Sequence, residues 1–156
     1  MAPRKSLLVD SAMILALILI GAIGYKLSPL LLPKADHFVA PDPDCDLQRT
    51  ACTATLPGGA RLIFSLTPRP IPVATPLTID VKLEGLVAQR VKVDFAGVEM
   101  SMGYLRPQLK AVTSSHFVGE ATLPVCVTGR MLWQATVLVE TNDQRIGAPF
   151  RFEAGH

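Results

Sequence analysis

An uninterrupted apolar run, AMILALILIGAIG at residues 12–24, constrains this chain more than any other feature of its sequence. A helix that crosses a membrane needs about 20 mostly apolar residues. Residues 7–27 provide that length if the charged side chain of Asp10 lies among the lipid headgroups. Basic residues at positions 4–5 precede the run and favour the cytoplasmic side. We therefore expect a single-pass bacterial inner-membrane protein, with residues 1–6 in the cytoplasm, a transmembrane helix over 7–27, and the rest in the periplasm.

The same features also fit a cleaved signal peptide, which has a basic start, an apolar core and small residues at the cleavage site. Ala22 and Gly24 would suit that site. However, the apolar character continues past it, through Leu27 and residues 30–32, as it would at the border of an anchor. Both alternatives export the residues that follow, so an extracytoplasmic domain is expected in either case.

The residues after the run divide into a spacer and one domain. Residues 28–48 contain four prolines and no helical or alternating pattern, which is typical of a stiff linker. Residues 49–156 have the length of one ordinary domain. The formal net charge of the chain is only +2, and no Lys/Arg cluster is interleaved with aromatic residues, which argues against nucleic acid as a partner.

The three cysteines are Cys45, Cys52 and Cys126. In an oxidising compartment, Cys45 and Cys52 can close a short loop that joins the leading segment to the first strand. The odd count then leaves Cys126 as a buried small apolar residue or as a metal ligand. The spacing does not decide between this pairing and a Cys45–Cys126 bond.

About eight short segments after the spacer show the apolar–polar alternation of half-buried β-strands. They are residues 50–56, 60–67, 77–83, 90–95, 109–113, 116–123, 131–140 and 145–153. The sequence Pro-Gly-Gly at 57–59 is typical of a hairpin turn, whereas four prolines between positions 68 and 76 indicate a loop or a sheet edge. The pattern predicts an all-β fold, an immunoglobulin-like antiparallel β-sandwich.

The sequence offers little for catalysis. The histidines are His37 in the spacer, His116 on a strand and the terminal His156. There is no nucleophile elbow, no zinc-protease motif and no phosphate-binding loop. The three aspartates between positions 42 and 46 lack the spacing and glycine of an EF-hand, so we expect a solvated acidic loop. We do not expect an enzyme.

A short glycine-bounded segment, Gly-Val-Glu-Met-Ser-Met-Gly at 97–103, is the best candidate for a binding site. In an extended chain, Met100 and Met102 point to the same side, and thioether sulfur is a preferred ligand of Cu(I). Cys126 is the next candidate ligand. Met131 and Trp133 share one strand face and are less favoured, because a tryptophan among alternating apolar residues is typical of a sandwich core.

Three motifs resemble the FixH/YtkA-like group of membrane-anchored or exported β-sandwich proteins. They are M-x-M-G at 100–103, F-x-G-x-x-x-L-P at 117–124 and G-x-M-x-W at 129–133, and the resemblance covers roughly residues 91–140. Tyr104 and Leu105 stand where histidines are common in that group. The resemblance implies an envelope protein linked to copper handling or to respiratory oxidase assembly.

We therefore expect a membrane-anchored periplasmic accessory protein, with Met100, Met102 and Cys126 as Cu(I) ligands and with oxidase or metal-transport subunits of the membrane as partners. The alternative is a metal-free interaction module that positions partner membrane proteins, through the proline-rich edge at 68–76 or an exposed strand. Burial of both methionines of the turn among apolar side chains would count against the copper hypothesis.

Overall fold

In the computed structural model, the described residues are 10, 13–23, 37–101, 103–125 and 129–155. The chain divides into two compact units, Met1–Lys34 and Ala35–His156. In the first unit, the described residues 10 and 13–23 are helical and exposed. Among the described residues, no helix has the length and apolar character needed to cross a membrane. The predicted transmembrane segment 7–27 includes residues outside that set.

The second unit contains nine described strands in two sheets, which lie face to face around the core. The first sheet has the order β1-β9-β8-β5 and the second the order β2-β3-β4-β7-β6. Neighbouring strands are antiparallel except for β1 and β9, which are parallel. The strands are β1 His37–Phe38, β2 Cys52–Thr55, β3 Arg61–Thr67, β4 Pro76–Glu84, β5 Arg90–Gly97, β6 Lys110–Thr113, β7 His116–Thr122, β8 Met131–Glu140 and β9 Arg145–Ala154.

Strict alternation of buried and half-buried side chains forms the core between the sheets. In β8, every second residue from Met131 to Val139 is buried, because successive side chains point to opposite faces of a strand. The sheets meet at Phe64 of β3 and Phe150 of β9, whose ring centroids lie 5.0 Å apart. The predicted all-β sandwich is confirmed, and the eight predicted strands correspond to β2 through β9.

Residues 37–48 belong by sequence to the predicted spacer, yet they pack on the sandwich. The two residues of β1 pair with Ile146 and Gly147 of β9, and the side chain of Leu47 is fully buried. Cys45 and Cys52 form a disulfide bond with a Cα–Cα distance of 5.2 Å, which excludes the alternative bond between Cys45 and Cys126. The disulfide joins this leading segment to β2.

A short segment, residues 105–109, carries the chain from one sheet to the other. Its backbone is hydrogen-bonded to β5, where Phe95 N–H donates to the Leu105 carbonyl and Leu109 N–H donates to the Val91 carbonyl, both at 2.9 Å. The next residues form β6, which pairs with β7 in the second sheet. We call residues 105–109 the crossing segment.

The two ends of the sandwich carry different loops. At the β1 end, His37 lies opposite Ile146, where β9 begins and β8 has just ended. At the turn end, β5 and β9 finish and β8 begins. Because β1 runs parallel to β9, the chain enters the sandwich at the β1 end, opposite the methionine-containing turn that follows β5.

Candidate functional site: the methionine turn

The turn after β5 is fixed at both of its ends by the first sheet. Gly97, the last residue of β5, lies opposite Trp133 of β8, and Val98 N–H donates to the Leu132 carbonyl at 2.9 Å. On the far side, the chain returns to β5 through the backbone bond between Phe95 and Leu105. We call residues 98–103 the methionine turn.

Met100 is exposed, with 40% of its surface accessible to solvent. It lines a surface depression of about 340 Å³. The other lining residues are Ala96, Gly97, Val98, Glu99, Ser101 and Gly103. Gly103 closes the turn with a positive φ of 84°, a conformation that glycine adopts without steric cost. Met102, the second predicted thioether ligand, lies outside the described residues.

Cys126 also lies outside the described residues, but its flanks are known. Before it, Leu123 is buried and Val125 is 51% exposed. After it, Gly129 lies against Gly155 just past the end of β9, so closely that a Cβ atom on Gly155 would clash with the Gly129 carbonyl oxygen. Since the chain then enters β8 beside the end of β5, these flanking residues and the methionine turn belong to the same end of the sandwich.

Met131 and Trp133, the less favoured candidates, are core residues. Their accessible fractions are 3% and 1%, and they alternate with half-buried residues along β8. The indole N–H of Trp133 is buried and has no acceptor among the described residues. Neither side chain is accessible to a metal ion at the surface.

A cluster that sequence reasoning missed lies just after the turn. Arg106 forms an ion pair with Asp94 of β5, with 2.7 Å between Nη2 and Oδ2, and its guanidinium carbon lies 4.8 Å from the ring centroid of Tyr104. The hydrogen bond that Arg106 donates to the Asp94 carboxylate raises the pKa of Arg106 above its ordinary value, so the guanidinium stays charged. Tyr104 is 78% exposed. In the sequence, the available signal was an aromatic residue two positions before a basic one.

The remaining titratable candidates lie apart from the turn. His116 is hydrogen-bonded to Asp80 on the outer face of the second sheet, with 2.7 Å between Nε2 and Oδ2. His37 lies on β1, and His156 is outside the described residues. Among the residues that the structure describes, no three His, Cys, Asp or Glu side chains are grouped to hold a metal ion.

No protein-family model matches the chain, and no curated protein is significantly similar to it. Two solved structures are similar in backbone. One is an engineered protein with 16% sequence identity and a TM-score of 0.47, matched over 65% of this chain and 21% of its own. The other is a DUF4785 family protein from Legionella pneumophila, with 14% identity and a TM-score of 0.45, matched over 62% and 29%. The chain thus spans less than a third of either protein that it resembles.

Proposed function

We propose that this chain is a membrane-anchored periplasmic accessory protein that binds Cu(I) at its methionine turn, for copper handling or respiratory oxidase assembly. Met100 is the primary ligand in this proposal. Met102 and Cys126 join it on the strength of their sequence positions and residue types. The observation that carries the proposal is the exposure of Met100 on a glycine-bounded turn.

A methionine side chain can either pack in the core or serve as a soft metal ligand. Its solvent exposure distinguishes these two roles. Cu(I) prefers sulfur over the oxygen ligands that suit magnesium or calcium. Met131 is enclosed in the core, whereas Met100 is 40% accessible and borders a depression. An ion arriving from solvent therefore has access to Met100.

We further propose that the β-sandwich is immunoglobulin-like. In that fold, one sheet has the strand order A-B-E-D and the other has C-F-G. The order β3-β4-β7-β6 beside β5-β8-β9 follows the same connectivity, with β1 and β2 as additions at the edges. The buried tryptophan is on β8, which corresponds to strand F, whereas antibody domains have theirs on strand C.

The anchoring proposal rests on the apolar helical residues 13–23, whose larger side chains are exposed. A soluble helix normally covers one apolar face, whereas a helix that is apolar all round requires an apolar environment. We expect the full chain to remain with the membrane fraction after an alkaline carbonate wash. Its release into the supernatant would contradict the anchor.

The copper proposal is tested by anaerobic titration of the purified full-length chain with Cu(I) against a competing chelator. The double variant Met100→Leu, Met102→Leu removes both sulfur atoms of the turn with little change in volume. We expect it to bind Cu(I) at least about tenfold more weakly than the unmodified chain. Met131→Leu is the matched control and should bind like the unmodified chain.

Absence of Cu(I) binding, or equal affinity of the double variant, would contradict this function. A Cys126→Ser variant tests the third predicted ligand separately. Circular dichroism of each variant shows whether a loss of binding reflects a lost ligand or a lost fold.

A further inference from the structure

Most edges of the two sheets are covered by other parts of the chain. The outer side of β2 is occupied by residues 41–42, where Pro41 pairs with Ala54 and Asp42 N–H donates to the Thr53 carbonyl at 2.9 Å. The outer side of β5 is occupied by the crossing segment. Uncovered strand edges invite pairing with other chains, and such covering prevents it.

The edge of β9 is blocked in three ways along its length. Its start pairs with β1. Pro149 follows, and proline has no N–H to offer a neighbouring strand. Near its end, the Glu153 carbonyl accepts a hydrogen bond from the side chain of Gln48. The proline-rich stretch, residues 68–76, is also packed against the rest of the domain. Ile71 is buried, and its N–H donates to Gln48 Oε1 at 2.7 Å.

The outer side of β6 is different. All four residues of the strand, Lys110–Thr113, are exposed, and no backbone group of the described residues is hydrogen-bonded to that side. In a strand paired on one side only, alternate N–H and C=O groups point outward. The register shift between Ala111 and Thr113 interrupts the ladder, so only a short strand can be added here.

A depression of about 400 Å³ lies directly beside this edge. Ala111 is exposed although it pairs with the buried Phe117, and both residues line the depression. Leu109, together with Ala111 and Phe117, provides the apolar part of the lining. Together with these three residues, the depression is lined by Gln89, Arg90, Gln108 and Lys110.

The charge around this edge is positive. Arg90 and Lys92 share the carboxylate of Glu140, at 3.1 and 3.4 Å. Lys110 has no ion pair with any described carboxylate. Glu120 lies on the neighbouring strand β7, and Asp80, which is opposite Val118 as Lys110 is, is already paired with His116. Outside that pair, the three cations outnumber the two carboxylates Glu140 and Glu120. An incoming strand that carries carboxylates is therefore favoured over a basic or neutral one.

We propose that the outer edge of β6 binds an extended acidic segment of a partner protein, which adds a short strand to the second sheet and places a carboxylate near Lys110. Added strands gain affinity from backbone hydrogen bonds and specificity from side-chain contacts. This interaction goes beyond metal binding. It is also independent of metal binding. β6 follows Leu109, which is hydrogen-bonded to Val91 near the start of β5, whereas the methionine turn follows the end of β5.

The probe is the synthetic peptide Thr-Val-Glu-Val-Glu-Val-Thr, titrated into the isotope-labelled full chain. We expect saturable NMR shifts in the amides of residues 110–113 and a matching rise in the anisotropy of labelled peptide. Two control peptides carry lysine in place of glutamate, or N-methyl groups at alternate residues that remove the hydrogen-bond donors. Both should bind at least about tenfold more weakly.

Two protein variants complete the test. Lys110→Glu reverses the charge at the edge and should weaken the acidic peptide about tenfold. Lys82→Glu is the matched control on an exposed position of β4, away from the edge, and should leave binding unchanged. Absence of binding, equal binding of the N-methylated peptide, or shifts confined to other strands would overturn the proposal. A concentration-dependent dimer without peptide, with shifts at residues 110–113, would instead assign the edge to a second copy of this chain.

Discussion

Gly119 shows how one missing side chain shapes the sandwich. Its position on β7 faces the core between the buried Phe117 and Ala121, and the side chain of Leu109 fills the space. A Cβ atom on Gly119 would lie 2.5 Å from Leu109 Cδ2 and 3.5 Å from Leu109 Cα. The glycine thus allows the crossing segment to pass close to β7.

Gly119→Ala should lower the free energy of unfolding by about 1–3 kcal/mol, because overpacking forces neighbouring side chains to shift. Leu109→Ala alone leaves a cavity and should cost about 2–5 kcal/mol. Adding Gly119→Ala to Leu109→Ala should cost little further, since the new methyl group enters that cavity. Urea unfolding of all four chains measures the coupling. Additive effects would show that the two residues do not share this space.

At the scale of elements, the leading segment, residues 37–48, closes the sandwich beside β2 and β9. The disulfide fixes Cys45 to Cys52, Leu47 fills the core, and the side chain of Gln48 bridges Glu153 of β9 and Ile71 of the proline-rich loop. These contacts tie one edge of each sheet to the same short stretch of chain.

Removal of the disulfide by Cys45→Ala with Cys52→Ala should destabilise the domain by about 2–3 kcal/mol. This value follows from the loop-closure entropy of the unfolded chain for a sequence separation of 7. The measurement is best made in a Cys126→Ser background, which prevents the third thiol from forming other bonds. Denaturant unfolding with and without reductant is the readout. An unchanged midpoint would mean that packing of Leu47 and Gln48 alone holds the segment.

At the scale of the whole molecule, the two sheets form one core, joined by the contact between Phe64 and Phe150. Phe150→Ala should lower the free energy of unfolding by about 3–5 kcal/mol, because it removes a fully buried ring. Phe38→Ala on β1 is the matched control. Its ring is 68% exposed, and the change should be within about 0.5 kcal/mol.

The single tryptophan makes the cooperativity of this core measurable. Trp133 is buried in β8, so its fluorescence reports the core, whereas far-ultraviolet circular dichroism reports both sheets. In Phe150→Ala, as in the unmodified chain, both signals should change at the same denaturant concentration. Separate midpoints would show that the sheets unfold independently.

Regular strands were predictable from the sequence because their burial follows the local period of two, as in Leu77, Ile79 and Val81 of β4. The two residues of β1 were not, since they form a strand only through a parallel contact with a segment more than 100 residues away. The burial of Leu47 depends on the same long-range packing.

For the candidate site as well, local sequence predicted some features, and long-range packing determined the others. Residue type and spacing alone made Met100 and Met102 candidate soft ligands. The ion pair between Arg106 and Asp94, and the pairing of Gly97 with Trp133, depend on strand register, which alternation does not specify. The open edge of β6 required knowledge of every other edge, and thus of the whole topology.

The disulfide also determines how the domain would carry mechanical tension applied through its N-terminal side. Such a pull first reaches β1, whose two residues pair with β9, and these few bonds would rupture early. Beyond Cys45, the force passes either along residues 46–51 or through the disulfide to Cys52. The disulfide is the stiffer connection, so residues 46–51 carry little of the load. Leu47 therefore stays in the core while tension passes directly into β2. The domain should extend as residues 37–44 separate from β9 and from the outer side of β2, and then resist until β2 separates from β3.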